Sequence, residues 1–281
     1  KSSTAVPESL PLSVDVVIGS KDLTCAQLGL LGTLKHEHRR VAVSFSKPMC
    51  AVVLGYMGSG KSYALGVLME NALLQAPNIT ANERPLTVVA FNYRRNPEAR
   101  FEYAGFTQPN GKRSEVERLE QQYRAHPTGI RKMNVLGYAP ELNRRRAEYQ
   151  GLTTLPILFR AKELRAEHWE ILMKPPNAQA EYMDVVRDVI RKLYYAEQLS
   201  FKTLETALLT DERLTESQRR RALNRFSFAA QWLSDDRPYE WKDLLAAGTL
   251  NVFDLRMQTM TSEDALKLCL VITDLVRCTK N

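Results

Sequence analysis

A single eight-residue motif constrains the fold of this chain more than any other feature. It consists of Gly55, Tyr56, Met57, Gly58, Ser59, Gly60, Lys61 and Ser62. The spacing matches G-x-x-x-x-G-K-[ST], the phosphate-binding P-loop. A short apolar run at 49–54 predicts a buried strand before the motif, and the pattern of 63–74 predicts an amphipathic helix after it. Strand, glycine loop and helix is the order that this motif requires, so the sequence predicts a nucleotide-binding site.

Each part of the motif suits a triphosphate. The glycines allow main-chain N–H groups to turn inward around an anion, and the following helix contributes the positive end of its dipole. Lys61 can reach the β- and γ-phosphates, and Ser62 can hold Mg²⁺. We therefore expect ATP and Mg²⁺ as cofactors, Lys61 and Ser62 as catalytic residues, Ser62 as the metal ligand, and nucleotide contacts from Gly55 to Tyr63. Tyr56 either lies exposed near the phosphates or packs on a neighbouring subunit.

The remaining patterns predict an α/β fold. Short apolar or alternating runs predict strands at 14–19, 40–45, 86–92, 133–136, 155–159 and 249–255. Helical periodicity predicts helices at 114–124, 161–173, 179–199, 200–209, 215–234, 239–247 and 262–278. Ser114 and Ser262 are the expected N-caps of the first and last of these helices. A strand–helix–strand order around the motif implies a right-handed βαβ unit and a mainly parallel sheet.

Four segments follow from these patterns. Residues 1–46 form a polar tail and a small β region, and residues 47–160 form the first part of a P-loop ATPase core. From 161 to 247 strand signals vanish and helical periodicity dominates, which predicts an all-helical insert. Residues 248–281 return to strand and helix and therefore resume the core.

Composition adds weaker constraints. The chain has 281 residues and a formal net charge of +7, which is compatible with a nucleic-acid partner. The four cysteines form no C-x-x-C pair, and Cys50 and Cys269 lie in apolar runs where burial is expected. No apolar run of about 20 residues is present, so we expect no membrane span, and reduced cysteines together with nucleotide use favour the cytoplasm.

Three consecutive arginines, Arg144, Arg145 and Arg146, lie in a predicted loop or short helix. Loop arginines can track phosphates and give sequence-independent, salt-dependent DNA binding. A contact with DNA or with another subunit and a plain solvated surface both fit this pattern.

Three features of the chain resemble one known family. They are Val17, Ile18 and Gly19 upstream of the motif, the hydrophobic-G-x-x-G-S-G-K-S form of residues 53–63, and the strand that carries Asp254 before a helix. Together they resemble the HerA/FtsK superfamily, and within it HerA-like ATPases. The resemblance implies a RecA-like P-loop NTPase core with a small N-terminal β-barrel. It spans most of the chain, but only the P-loop is highly specific.

The resemblance also implies an activity. Motors of this kind are ring-forming, usually hexameric, ATPases that translocate duplex DNA through a basic pore. ATP lies between subunits, and a neighbouring subunit supplies an arginine finger. HerA-type members commonly act with a partner nuclease or other effector in DNA processing or anti-phage defence. We therefore expect a homo-oligomeric DNA translocase.

Two departures from the family pattern concern the acidic residues of the site. After the second strand the family commonly has an aspartate and a Gly-Glu pair, whereas this chain has Phe91, Asn92, Tyr93 and Arg94. No apolar strand here ends in Asp-Glu, the family's metal-binding and water-polarising pair. The family's order places that pair beyond Asn281, in which case the core continues in a longer protein. Alternatively, Asp254 is itself the metal-binding aspartate. A third interpretation is that Asp254 has no catalytic role and is an ordinary aspartate at the end of a strand.

Two other functions compete with the motor. In the first, nucleotide binding orders an interface with a partner protein and little ATP is turned over, which the missing Asp-Glu pair favours. In the second, the chain is a small-molecule kinase. The helical insert, the N-terminal β region and the lack of an evident arginine-rich lid argue against a kinase.

Overall fold

The structure, a computed structural model, describes residues 12–23, 25–94, 98, 101–175 and 182–279. The predicted N-terminal tail lies almost wholly outside these residues. The strands are β1 (Val16–Ile18), β2 (Leu28–Thr33), β3 (Arg40–Ser44), β4 (Val88–Asn92), β5 (Lys132–Gly137), β6 (Thr153–Pro156) and β7 (Thr249–Asp254). The helices are α1 (Lys61–Leu73), α2 (Arg113–Tyr123), α3 (Leu142–Glu148), α4 (Ala166–Met173), α5 (Tyr182–Tyr195), α6 (Phe201–Thr210), α7 (Glu216–Ala230), α8 (Trp241–Leu244) and α9 (Ser262–Thr279).

The strands form two sheets. A small sheet has the order β1-β3-β2, with β1 parallel and β2 antiparallel to β3. A second, parallel sheet has the order β4-β7-β5-β6. All six residues of β7 are buried, as expected for an inner strand of a parallel sheet. The predictions of an α/β fold, a mainly parallel sheet and a small N-terminal β region are confirmed.

The strand β6 lies at the edge of the parallel sheet and corresponds to the strand predicted at 155–159. It ends at Pro156. Proline has no N–H group to donate to a neighbouring strand, so an edge position tolerates it. The strand begins at Thr153, two residues before the predicted start, and it ends before Phe159.

The small sheet contains a strand that the sequence patterns did not reveal. β2 pairs with β3 in a register that sets Gly29 opposite Val43, and the register shifts between Leu30 and Gly32. A Cβ atom at Gly29 would lie 2.4 Å from the Cβ of Asn71, so only glycine allows α1 to approach this strand. The Asn71 side chain donates a hydrogen bond to the Leu30 carbonyl at 2.8 Å, which joins α1 to β2.

The strand predicted at 49–54 is absent from the described structure, and this prediction was wrong. Residues 45–60 have no helix or strand, and Val52 and Leu54 are 76% and 84% exposed. Cys50 is also exposed, contrary to expectation. A strand forms only when a neighbour accepts and donates its main-chain hydrogen bonds, and an apolar run cannot specify that neighbour. Of the expected βαβ unit, the described structure contains α1 and β4.

Two helix caps also differ from the sequence reading. The residue before α2 is Lys112, so Ser114 lies inside the helix and does not cap it. At the start of α9, the Thr261 hydroxyl accepts from the Asp264 N–H at 3.1 Å and donates to the Asp264 carboxylate at 2.7 Å. Thr261 therefore caps this helix in place of Ser262. Hydroxyl residues at neighbouring positions compete for the cap, and sequence alone does not choose between them.

The described chain divides into two compact units. The first comprises residues 1–90, 100–134 and 246–251, and it includes β1–β3, α1 and α2. The second comprises 91–99, 135–245 and 252–281, and it includes β6 and α3–α9. Residues of β4, β5 and β7 belong to both.

The second unit contains the predicted helical segment. Helices α4–α8 all lie between 161 and 247, as predicted. Trp169 of α4 is fully buried and stacks on Phe226 of α7, with ring centroids 6.5 Å apart. Phe201 of α6 packs on the same ring at 4.7 Å. These aromatic residues form part of the core between the helices. Within the described ranges, no helix combines the length and apolarity needed to cross a bilayer.

Candidate functional site

The glycine loop at 55–62 belongs to the first unit and leads directly into α1. Gly58 and Gly60 have φ values of 78° and 87°, in the left-handed region that favours glycine. Helix α1 begins at Lys61, immediately after Gly60. The two glycines turn the chain so that the loop ends at the helix N-terminus, as the motif predicts.

Hydrogen bonds hold the loop in a tight turn. The Ser59 N–H donates to the Tyr56 carbonyl at 3.2 Å. The Lys61 ammonium group donates to the same carbonyl at 2.6 Å. A Cβ atom at Gly55 would lie 2.2 Å from the Ser59 hydroxyl oxygen, so a larger residue here would require the Ser59 side chain to move. The loop therefore closes on itself, and the Lys61 side chain is hydrogen-bonded to its main chain.

The N-terminus of α1 is left open to an anion. Gly60 provides no side-chain cap, and none of the described residues of the first turn is acidic. The first N–H groups of a helix have no partner within the helix, and the helix dipole makes this end positive. An anion at this end meets unpaired donors without displacing a capping oxygen. The residues present therefore fit a phosphate group.

Ser62, the expected metal ligand, lies exposed in the first turn of α1. Its carbonyl accepts a hydrogen bond from the Tyr103 hydroxyl at 2.6 Å, which fixes the main chain at this position. Mg²⁺ commonly takes one or two protein ligands together with phosphate oxygens and water. A single hydroxyl beside a phosphate site fits that preference. Among the described residues, no group of three or more His, Cys, Asp or Glu side chains is arranged to hold a metal ion.

Three aromatic and apolar side chains of the predicted contact set project into solvent. Tyr56 is 90% exposed, Tyr63 is 65% exposed, and Met57 is fully exposed. The exposure of Tyr56 is compatible with both predicted positions, beside the phosphates and against a neighbouring subunit. Such a row of exposed large side chains is unusual on a protein surface and suits contact with a ligand or another chain.

Asp254 lies in the second unit inside a buried ionic cluster. It is 1% exposed, and Arg256 donates to both of its carboxylate oxygens, at 2.7 Å and 2.5 Å. The Tyr149 hydroxyl donates to one oxygen at 3.1 Å, and the Asn92 amide approaches the other at 3.4 Å. With both oxygens engaged, the aspartate has the environment of a structural strand-end residue. A role for Asp254 as metal ligand stays a prediction that requires release from Arg256.

The three predicted DNA-contacting arginines have different environments on α3. Arg145 is 1% exposed, forms ion pairs with Glu141 at 3.3 Å and Glu148 at 3.2 Å, and donates to the Arg256 carbonyl. Its buried guanidinium therefore cannot contact the phosphate backbone of DNA in the described structure. The prediction that Arg145 binds DNA is corrected on this ground. Arg144 and Arg146 are exposed; Arg144 pairs with Glu98 at 2.5 Å, and Arg146 donates to Asn143 at 3.1 Å. A DNA contact stays a prediction for these two.

The cluster partners Arg256, Tyr149 and Glu148 were missed by the sequence reading. Arg256 is fully buried and also pairs with Glu148 at 2.8 Å. The only signal was an arginine directly after the strand predicted at 249–255, at a point where the chain should still be buried. Such a residue needs a carboxylate partner, because an unpaired buried charge is costly.

Comparisons with known proteins identify no relative: no protein-family model and no curated protein matches the chain. The loop at 55–62 and the residues around it are therefore the features of the chain that bear on its function.

Proposed function

We propose that the chain is a Mg²⁺-dependent ATPase whose loop at 55–62 binds the triphosphate. The observation that carries the proposal is the loop itself, with left-handed Gly58 and Gly60 followed at once by an uncapped helix N-terminus. In the proposed reaction, water attacks the γ-phosphorus, the bond to the β,γ-bridging oxygen breaks, and ADP leaves. Lys61 stabilises charge on the transferred phosphoryl group, and Ser62 holds the metal ion.

We further propose that ATP hydrolysis drives translocation along double-stranded DNA. The resemblance to HerA/FtsK motors, the net charge of +7 and the exposed Arg144 and Arg146 support this step. In this proposal the active form is a homo-oligomeric ring, on the family pattern a hexamer with a RecA-like core, and a partner nuclease or other effector acts on the DNA. Four free cysteines are compatible with a reducing compartment such as the cytoplasm.

The test is ATP hydrolysis with and without linear duplex DNA. We expect turnover that DNA stimulates and that Lys61→Ala abolishes. Lys35→Ala, which removes an exposed lysine from the turn between β2 and β3, is the matched control and should leave turnover unchanged. Hydrolysis that persists in the Lys61→Ala protein would place the activity outside the loop and would contradict the proposal.

A nucleotide-gated scaffold is the second candidate, and the environment of Asp254 favours it. Both oxygens of this aspartate are engaged by Arg256 and its neighbours, so the carboxylate is not free to assist hydrolysis in the described state. Tight ATP binding without turnover, in the presence and absence of DNA, would support the scaffold over the motor.

A further inference from the structure

A cleft of about 900 Å³ runs along one side of α1 in the first unit. Its other walls are β2, residues 102–110 and α2. The volume lies within the range of sites that hold small organic ligands. The α1 residues that line it follow the helical repeat: Ser62, Tyr63, Gly66, Val67, Glu70 and Asn71.

The cleft begins where the glycine loop ends. Ser62 and Tyr63 belong to the predicted phosphate site and also line the cleft. From Ser62 to Glu70 the helix rises about 12 Å, at about 1.5 Å per residue. That distance is comparable to the reach of a nucleoside from its phosphates. A nucleotide whose phosphates lie at the start of α1 can therefore extend its base along this side of the helix.

Two aromatic rings form part of the wall beside the first turns of α1. Tyr103 and Phe106 pack together with ring centroids 5.1 Å apart. Gly66 allows them to lie against the helix, because a Cβ atom there would be 3.2 Å from Tyr103 and 3.4 Å from Phe106. Aromatic rings offer stacking surfaces to a base regardless of its hydrogen-bonding pattern.

Glu70 lies farther along the same wall and is only partly exposed. Burial raises the pKa of its carboxyl group, and no hydrogen bond or charged neighbour in the described part of the chain offsets that effect. A partly buried carboxylate without a donor is unfavourable. A ligand with an N–H group at this position would supply the missing donor.

We propose that the cleft holds the ribose and adenine of the bound nucleotide, with the Glu70 carboxylate accepting a hydrogen bond from the adenine 6-amino group. This inference rests on the proposed function, since it needs the phosphates at 55–62. The inference predicts that the site prefers adenine to other purines. A purine with a 6-carbonyl in place of the 6-amino group presents an acceptor to the Glu70 carboxylate, which is also an acceptor, and should therefore bind more weakly.

The test separates the base from the phosphates by comparing three ligands: MgATP, MgITP, which carries the 6-carbonyl, and magnesium tripolyphosphate, which carries no base. Val67→Trp fills the cleft beside the helix and should weaken ATP binding about tenfold or more, while tripolyphosphate affinity stays within about twofold. Glu70→Gln should reduce the preference for ATP over ITP about tenfold, because an amide can donate to the carbonyl. Glu83→Gln, at an exposed position in the same unit, is the control and should change neither.

The outcomes distinguish the two proposals. If tripolyphosphate and ATP both fail to bind the wild-type protein, the phosphate loop itself is refuted. If both bind and neither cleft variant alters ATP affinity or the preference for ATP over ITP, the cleft assignment alone is refuted. Should Val67→Trp prevent folding, the ATP-to-ITP preference of Glu70→Gln decides the question.

Discussion

The Lys61 ammonium group donates a hydrogen bond to the main-chain carbonyl of Tyr56, with the nitrogen and oxygen 2.6 Å apart. A neutral carbonyl compensates a positive charge less well than an anionic oxygen does, because two opposite full charges attract each other more strongly than a charge and a dipole. The lysine is therefore held in the loop by a partner that a phosphate oxygen can replace. This relationship is what the proposed binding of a phosphate group at the loop requires of Lys61.

The left-handed conformation of Gly60 gives a first prediction. Gly60→Ala should lower the free energy of unfolding by about 1 kcal/mol, because an L-residue in this conformation is strained while the space around Gly60 is open. Urea denaturation measures the change. Gly105→Ala is the control, since its surroundings are also open and its φ is not left-handed. Equal stabilities of the two variants would contradict the described loop conformation.

A buried histidine predicts how stability depends on pH. The His168 ring accepts the Arg165 N–H at Nδ1, 3.2 Å away, and its Nε2 lies 2.9 Å from the Asp274 carboxylate. Burial lowers the pKa of His168, and the charge of Arg165 adds to this effect against the opposing pull of Asp274. In the folded protein, neutral His168 with its proton on Nε2 satisfies both contacts.

The lowered pKa of His168 determines how the stability of the folded protein changes with pH. Unfolding frees His168 to bind a proton near pH 6.5, at which the folded protein leaves it neutral. This contribution to stability is present above about pH 6.5 and is lost as the pH falls. Urea melts between about pH 7.5 and 5.5 should give a smaller slope for His168→Gln than for the wild type. The exposed His126→Gln is the control, and equal slopes in wild type and His168→Gln would refute this account.

Asp254→Asn tests whether this aspartate is structural. The change breaks a buried ion pair and leaves Glu148 as the remaining carboxylate beside Arg256, so the expected loss is about 3 kcal/mol of unfolding free energy, the lower end of the range for a broken buried pair. Asp243→Asn, at an exposed position on α8, should change stability by less than about 0.5 kcal/mol. Wild-type stability of Asp254→Asn combined with loss of ATPase activity would instead assign the aspartate a catalytic role.

The different environments of the arginines on α3 predict different phenotypes. Arg146→Ala should weaken duplex DNA binding regardless of sequence and reduce the dependence of log K on log salt by about one unit, the effect of one lost phosphate contact. Arg145→Ala should destabilise the fold, because Asp254, Glu141 and Glu148 lose a buried partner. Binding titrations at several salt concentrations and urea melts measure the two effects. An Arg146→Ala protein with an unchanged salt slope would remove this residue from the DNA surface.

Thiol reactivity tests the exposed segment before the loop. Cys50 is exposed, whereas burial raises the pKa of the Cys269 thiol to about 11. Alkylation near pH 8 should therefore modify Cys50 before Cys269, because the thiolate is the reactive form. Peptide mapping after a short exposure to iodoacetamide identifies the modified residue. Preferential labelling of Cys269 would contradict the described exposure of residues 45–60.

Sequence alone predicted the elements whose determinants are local. Helix α1 begins within two residues of its predicted start, because the end of the motif marks the start of the helix and the apolar spacing lies within it. Strands were predicted less well: the strand expected at 49–54 is absent from the described structure, and β2 was not predicted. A strand depends on partners distant in the chain, and β2 contains two glycines that lower its propensity.

Local and long-range determinants also differ between the glycine loop and the ionic cluster. The loop at 55–62 could be predicted because its residues are contiguous. The ionic cluster could not, because Arg145 and the Arg256 carbonyl that it contacts are 111 residues apart. Adjacent helical residues point in directions about 100° apart, so Arg145 turns inward while Arg144 and Arg146 face solvent. Three consecutive arginines in the sequence give no indication of this difference in burial.

The most direct test of the central claim is the equilibrium Kd for MgATP, measured by calorimetry on the wild type, Lys61→Ala and Lys35→Ala. The account predicts that the wild type and Lys35→Ala bind with similar Kd, and that Lys61→Ala binds at least about tenfold more weakly. A wild-type protein that does not bind ATP, or a Lys61→Ala variant that binds as tightly as the wild type, would contradict the claim that this loop is the nucleotide site.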